Sequence, residues 1–292
     1  MDRLGTWLGL VALALAGCRE APLPAHPALW RVDGPHGQRG WLFGTIHMLP
    51  RQVDWRTPPV SAALDRSDQL VVEIAALNDD NAGARAFAAL AHGPPQPPLA
   101  ARIAVGLRPK LERLMQRGEL QPAQFADIKT WAAALMLAQA AETSGNGGSQ
   151  AKGGIDRALL RDNPGKPVAE LEGTARQLGL FDSLPEAAQR RLLAAVVADA
   201  DHAGDDTRKL AEEWRKGDIA AIARATHEGM MADPDLRRVL YVQRNLNWAR
   251  IISGELAAGA HPFVAVGAAH MAGDDGLPAL LATRGFTVTR IE

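Results

Sequence analysis

A single cysteine, Cys18, stands among the 292 residues, so the chain cannot close a disulfide on itself. No serine sits in a Gly-x-Ser-x-Gly elbow, which disfavours a serine hydrolase of that kind. The glycine-rich stretch at 144–154 lacks a Gly-Lys-Ser/Thr ending and is therefore not a Walker phosphate loop. His227-Glu228-Gly229-Met230-Met231 begins like a zincin helix, but Met231 occupies the place of the required second histidine. Excess charge of either sign is also missing: the formal net charge is -1, which gives no electrostatic grip on nucleic acid or acidic lipid. No apolar run reaches membrane-spanning length, Leu4–Leu15 included.

What is present describes a globular chain, 47% hydrophobic and 22% charged, long enough to bury a core. Its start reads as a signal. Arg3 supplies a weak positive charge, Leu4–Leu15 is a short apolar stretch, and Leu15-Ala16-Gly17-Cys18 resembles the lipobox of bacterial lipoproteins. The division expected is a lipoprotein signal peptide over 1–17, a Pro- and Ala-rich tether over 18–27 and a domain over 28–292. Cys18 would carry the lipid and lose its thiol. An ordinary secretory signal or a buried thiol is the alternative. The location expected is the bacterial cell envelope, lipid-anchored, facing the periplasm or on the outer membrane, with no other membrane contact.

Apolar runs at Ala28–Val32 and Arg39–Phe43 flank Asp33-Gly34-Pro35-His36-Gly37 and predict a β-hairpin. Further strands are expected at Gln69–Ile74 and Pro262–Val266, both buried, and at Lys166–Glu172 and Phe286–Ile291. Between them, helical spacing covers 82–90, 99–117, 122–142 and 155–162. It continues from 174 to 259, with breaks near Pro185, Gly204, Gly217 and Pro234. The class expected is α/β: a central mixed sheet formed from N- and C-terminal strands with a largely helical middle cap. The 144–154 stretch reads as a mobile loop over a site or as a plain linker.

Two strands end alike, in Gly44-Thr45-Ile46-His47 and Gly267-Ala268-Ala269-His270. Ligands in open α/β sheets gather beyond the carboxyl ends of strands. His47, His270, Glu73 and Glu172 all fall there, and imidazole with carboxylate can bind a divalent cation that activates water. Each also has a structural reading. A histidine after a strand is usually a hydrogen-bonded loop residue, Glu73 can pair with an arginine, and Glu172 can cap the helix after Gly173. Asp156 and Arg244, charged among apolar neighbours, are further candidates whose default is an ion pair.

Taken together, Leu29-Trp30-Arg31-Val32, Trp41–His47, Ser67–Glu73, Gly154-Ile155-Asp156, Leu171–Thr174 with Gln177, Arg244-Asn245 with Trp248-Ala249, and Val266–Gly273 resemble the TraB/GumN family. Distantly similar are the animal Tiki proteins, metal-dependent proteases with two Gly-x-x-His motifs and an essential glutamate. The resemblance implies metal ligation by His47, Glu73 and His270, with Glu73 as an alternative base. Glu172 and Arg244 would support substrate or transition-state charge. The cation implied is manganese, cobalt or zinc, and the substrate a peptide or protein. The wider relatives include erythromycin esterases and haem-binding lipoproteins, so a non-enzymatic haem or small-ligand protein, or an accessory of envelope polysaccharide or surface assembly, is the alternative.

Overall fold

The computed structural model describes residues 21–145 and 152–292. Cys18, the expected signal and the centre of the glycine-rich stretch lie outside the described residues. The strands are β1 (Leu23–Pro24), β2 (Leu29–Asp33), β3 (Arg39–Thr45), β4 (Met48–Leu49) and β5 (Val53–Asp54). They continue as β6 (Gln69–Val72), β7 (Lys152–Gly153), β8 (Val168–Glu170), β9 (Pro262–Gly267) and β10 (Thr287–Arg290). The first helices are α1 (Pro58–Arg66), α2 (Asp80–Ala91), α3 (Arg108–Arg117), α4 (Thr130–Gly145), α5 (Ile155–Asp162) and α6 (Thr174–Asp182). Then follow α7 (Glu186–Asp199), α8 (Ala203–Arg215), α9 (Ile219–Ala225), α10 (Pro234–Arg237), α11 (Gln243–Ala257) and α12 (Leu277–Ala282).

Six strands form the central mixed sheet in the order β10-β2-β3-β9-β6-β8. The β2–β3 hairpin is antiparallel, whereas β3, β9, β6 and β8 run parallel. The N-terminal β3 thus lies directly beside the C-terminal β9, with Thr45 opposite Gly267. Period-two alternation serves both faces of the sheet. Trp41, Phe43, Phe263 and Ala265 pack under α1, α5 and α8, while Leu42, Val264 and Val266 pack under α11 and α12. Phe43, Leu42 and Phe263 have no exposed surface, and each such burial contributes about 1.5–3 kcal/mol.

The middle of the chain builds its own apolar cluster around Trp131, Leu137, Leu192 and Leu193, joining α3, α4 and α7. Two expected helices are interrupted. Residues 99–117 form two short 3-10 turns before α3, which starts where Pro109 suits a first helical turn. Residues 122–142 divide into a 3-10 turn at Pro122–Phe125 and then α4. Part of the segment read as a tether is ordered against the domain: β1 pairs with β5, and Ala25 is buried. No helix among the described residues is long and apolar enough to cross a membrane.

Candidate functional site

The two Gly-x-x-His motifs pack against one another. A Cβ on Gly44 would lie 3.1 Å from the Cα of Ala268, so a side chain there would push the second motif back by a few tenths of an ångström. The Gly44 carbonyl is held from below by the buried Trp214 Nε1 at 2.7 Å. At Gly267 the free space has another purpose. The point where its Cβ would stand lies 3.4 Å from Glu73 Oε1, 3.8 Å from His47 Nε2 and 3.8 Å from His270 Cδ2. Three side chains from remote parts of the sequence therefore converge beside one glycine.

Glu73, just past β6, is deeply buried. Its Oε1 accepts the Gly267 backbone N–H at 2.7 Å, and its Oε2 accepts Arg244 Nη2 at 2.8 Å and Gln177 Nε2 at 3.2 Å. Arg244 also reaches Glu172, with Nε 3.1 Å from each carboxylate oxygen. The carboxylate of Glu172, expected as a possible helix cap, instead faces this guanidinium, and Gly173 starts α6 without a side-chain cap. Burial raises Glu73's pKa, but the positive charges of His270, Arg244 and His47 and the Gly267 N–H outweigh it, bringing it to about 2.

His270 is buried between Tyr241, stacked at 5.4 Å, and Trp248 at 4.5 Å. Its Nδ1 lies 2.6 Å from Asn245 Oδ1 and its Nε2 lies 3.2 Å from Arg244 Nη1. Arginine can only donate, so Nε2 is the acceptor and Nδ1 carries the proton. Burial, with Arg244 and His47 adding like charge, lowers its pKa to about 3. The ring is thus neutral at pH 7, and the cations facing Glu73 there are Arg244 and His47.

His47 stands at the open mouth of the cleft, with 69% of its side chain accessible. Its Nδ1 lies 2.5 Å from Asp156 Oδ2, and this hydrogen bond and charge raise its pKa to about 9. The local backbone explains the pairing. β7 binds β4, Ile155 N–H donates to the Ile46 carbonyl at 2.8 Å, and a Cβ on Gly154 would fall 2.3 Å from the His47 carbonyl oxygen. Only glycine lets the chain cross there and deliver Asp156 to the imidazole.

These geometries bear on a divalent cation. Both imidazoles have Nδ1 held by a side-chain oxygen and turn the other edge inward, the support that ligating histidines usually receive. Glu73 stays ionised, which suits a ligand and makes it a weak base near neutral pH. Among the described residues, no group of three His, Cys, Asp or Glu side chains stands in coordinating geometry. Arg244 already engages Glu73 and the His270 lone pair with its guanidinium. The donors fit a divalent cation in kind, with His270 available once Arg244 withdraws from it.

Three supporting residues carry weaker sequence signals. Asn245 pins His270 and donates to the Asp275 carbonyl, and Tyr241 OH holds the Ala269 and Ala272 carbonyls beside it. Together with Arg244 and Trp248 they occupy positions i, i+3, i+4 and i+7 along one face, a pattern that helical periodicity reads only as core. A π-helical turn, Arg238–Val242, leads into α11 here. The third, Gln177, carries no distinguishing pattern beyond the motif run.

The family model described as TraB/PrgY/gumN family matches residues 28–290. Two relatives, each named "Uncharacterized protein YbaP", come from Shigella flexneri and from Escherichia coli (strain K12). Each is 28% identical over 251 residues, covering 85% of this chain and 89% of its own length. No solved structure matches the chain.

Proposed function

The chain belongs to the TraB/PrgY/gumN family, and on that premise we propose that its strand-end cleft is the centre of a metal-dependent hydrolase acting on peptide bonds. The observation that carries this reading is the meeting of His47, Glu73 and His270 beside Gly267, with both imidazoles fixed through Nδ1. These three residues would hold the cation. The chemistry it supplies when bound is a polarised carbonyl and a water of lowered pKa. Asp156 and Asn245 orient the two rings, and binding at His47 Nε2 takes the place of a proton. Arg244 keeps the charges of Glu73 and Glu172 compensated in the buried wall, and it offers a fixed positive charge to a developing oxyanion. Gly267 keeps the space between the donors open.

The test is bound metal and peptide hydrolysis for wild type, His47→Ala, Glu73→Gln and His270→Ala. Each variant is expected to lose metal and to retain roughly 1% or less of the activity, the scale of a lost general acid–base or ligand role. Equal metal and equal activity in all four would sink the mechanism. The competing haem reading has its own signature: a Soret shift on reconstitution that a histidine variant abolishes.

The same proposal places the protein in the bacterial envelope, anchored through lipid on Cys18. Cys18→Ala is expected to stop incorporation of radiolabelled palmitate and to shift the protein from membrane to soluble fractions. Unchanged labelling would refute the anchor.

A further inference from the structure

Beside the cleft lies a cavity of about 560 Å³ between α4, α7, α8 and α9. Two of its helices reach the motifs. α8 packs against β4, directly after His47, and α9 packs against the turn that carries His270. Glu142, in the cavity wall, is close enough for its charge and that of His47 to act on one another.

The lining combines two chemistries. The floor is apolar and built largely of alanine, and it includes Leu210 and Met230, which are 39% and 38% exposed. Large apolar side chains left in water at one cavity indicate a surface that takes an apolar partner. The rim is acidic: Glu142, Asp199, Asp206, Glu213 and Glu228 stand against Lys209 and Arg224. None of these five carboxylates has an ion-pair partner among the described residues. Burial pushes the pKa of Glu142 up, and the opposing charge of His47 only partly offsets the loss of water. A cation brought by a ligand would add to that offset. Small side chains on the floor leave room for bulky ones from a partner.

We propose that this cavity is a binding groove for a peptide segment combining lysine or arginine with bulky apolar side chains, seated next to the strand-end cleft. The proposal deepens the hydrolase reading and rests on it only for what happens to the bound peptide; the groove binds whether or not cleavage follows. The apolar side chains enter the alanine-lined floor, and the basic groups meet the rim carboxylates.

A short fluorescein-labelled peptide of lysine, leucine and alanine is titrated into the full chain, with anisotropy reporting binding. The counterpart probe replaces lysine with glutamate. Expected is binding of the basic probe alone, weakened roughly tenfold by Asp206→Lys with Glu228→Lys and weakened again by added salt. Ala225→Trp, an exposed position on the groove wall, is expected to block it, and circular dichroism verifies that each variant is folded. If the glutamate probe binds as well as the basic one, or folded rim and Ala225 variants bind like wild type, the groove is overturned. His47→Ala separates the two readings, because it is expected to abolish cleavage while leaving anisotropy unchanged. A wild-type chain that binds the basic probe with this charge dependence but never cleaves peptides keeps the groove and ends the hydrolase reading.

Discussion

Arg244→Met is expected to lower folding stability by about 3–5 kcal/mol at pH 7. The side chain of Arg244 is 10% accessible, and those of Glu73 and Glu172 are 9% and 3% accessible. Removing the guanidinium leaves two carboxylates in a low-dielectric wall with little water to replace it, which is the costly way to break a buried pair. Methionine keeps much of the packing on Trp248, whose ring lies 4.6 Å from the guanidinium carbon, so the loss isolates charge from volume. At roughly 2–4 °C per kcal/mol for a domain of this size, thermal unfolding resolves it readily.

The pH dependence gives that prediction a sign. Glu73 has a folded pKa of about 2, below its ordinary 4.5, so its ionised interactions stabilise fully above pH 4.5 and are lost as pH falls towards 2. The gap between wild type and Arg244→Met should therefore be widest near neutrality and narrow in acid. Adding Glu172→Gln to Arg244→Met should recover part of the loss by removing one stranded charge. Unfolding midpoints that coincide at pH 7 would contradict the arrangement. Arg244→Lys is not expected to rescue it fully, since one ammonium cannot span Glu73, Glu172 and His270 as a fork does.

Gly154→Ala is expected to uncouple His47 from Asp156 and, under the metal role proposed for His47, to cost roughly 10–100-fold in metal affinity, the scale of a lost supporting carboxylate. The added methyl would meet the backbone oxygens of His47 and Ile46 at 2.3 and 2.4 Å, and neither can rotate away. The segment from 152 to 156 must lift, breaking the Ile155–Ile46 hydrogen bond and withdrawing Asp156. The direct readout is the His47 imidazole by NMR, which should titrate near 9 in wild type and move towards 6.5 in the variant. Because the folded value is raised, this pairing stabilises fully below pH 6.5 and is lost as pH rises through about 9. Wild type and variant should consequently converge in stability above that pH. An unshifted His47 titration in folded Gly154→Ala would show that the crossing is not what positions Asp156.

Much of the architecture was legible because strand residues follow a short repeat. Trp41-Leu42-Phe43 and Phe263–Val266 are apolar on both faces, so buried strands at both ends of the chain could be read directly. Helical breaks at Pro185, Gly217 and Pro234 were legible for a local reason too, since proline and glycine punctuate whatever the fold, whereas the break expected near Gly204 falls just before it, at His202, and Gly204 lies inside α8. Less was visible at 99–117 and 122–142, where helical spacing continues through 3-10 turns and tertiary packing decides the break. Glu73 and Glu172 were visible as carboxylates at strand ends, but their common partner, Arg244, was not assignable because it enters from a helix 171 residues beyond Glu73. Asp156 likewise carried no sign of its partner, since the crossing at Gly154 is a tertiary contact.

The sequence by itself determined two histidines delivered at the ends of two strands, because local steric and burial preferences fix strands and the turns that end them. Only the tertiary structure decided that those strands are neighbours, through parallel pairing of β3 with β9, and that Gly267 opens the space between their histidines. It also decided the protonation of the two rings. Similar motifs yield opposite shifts because Asp156 accompanies His47 at an open mouth, whereas Arg244 and two aromatic rings enclose His270. Charge and desolvation act through space, and neither is written in the order of the residues.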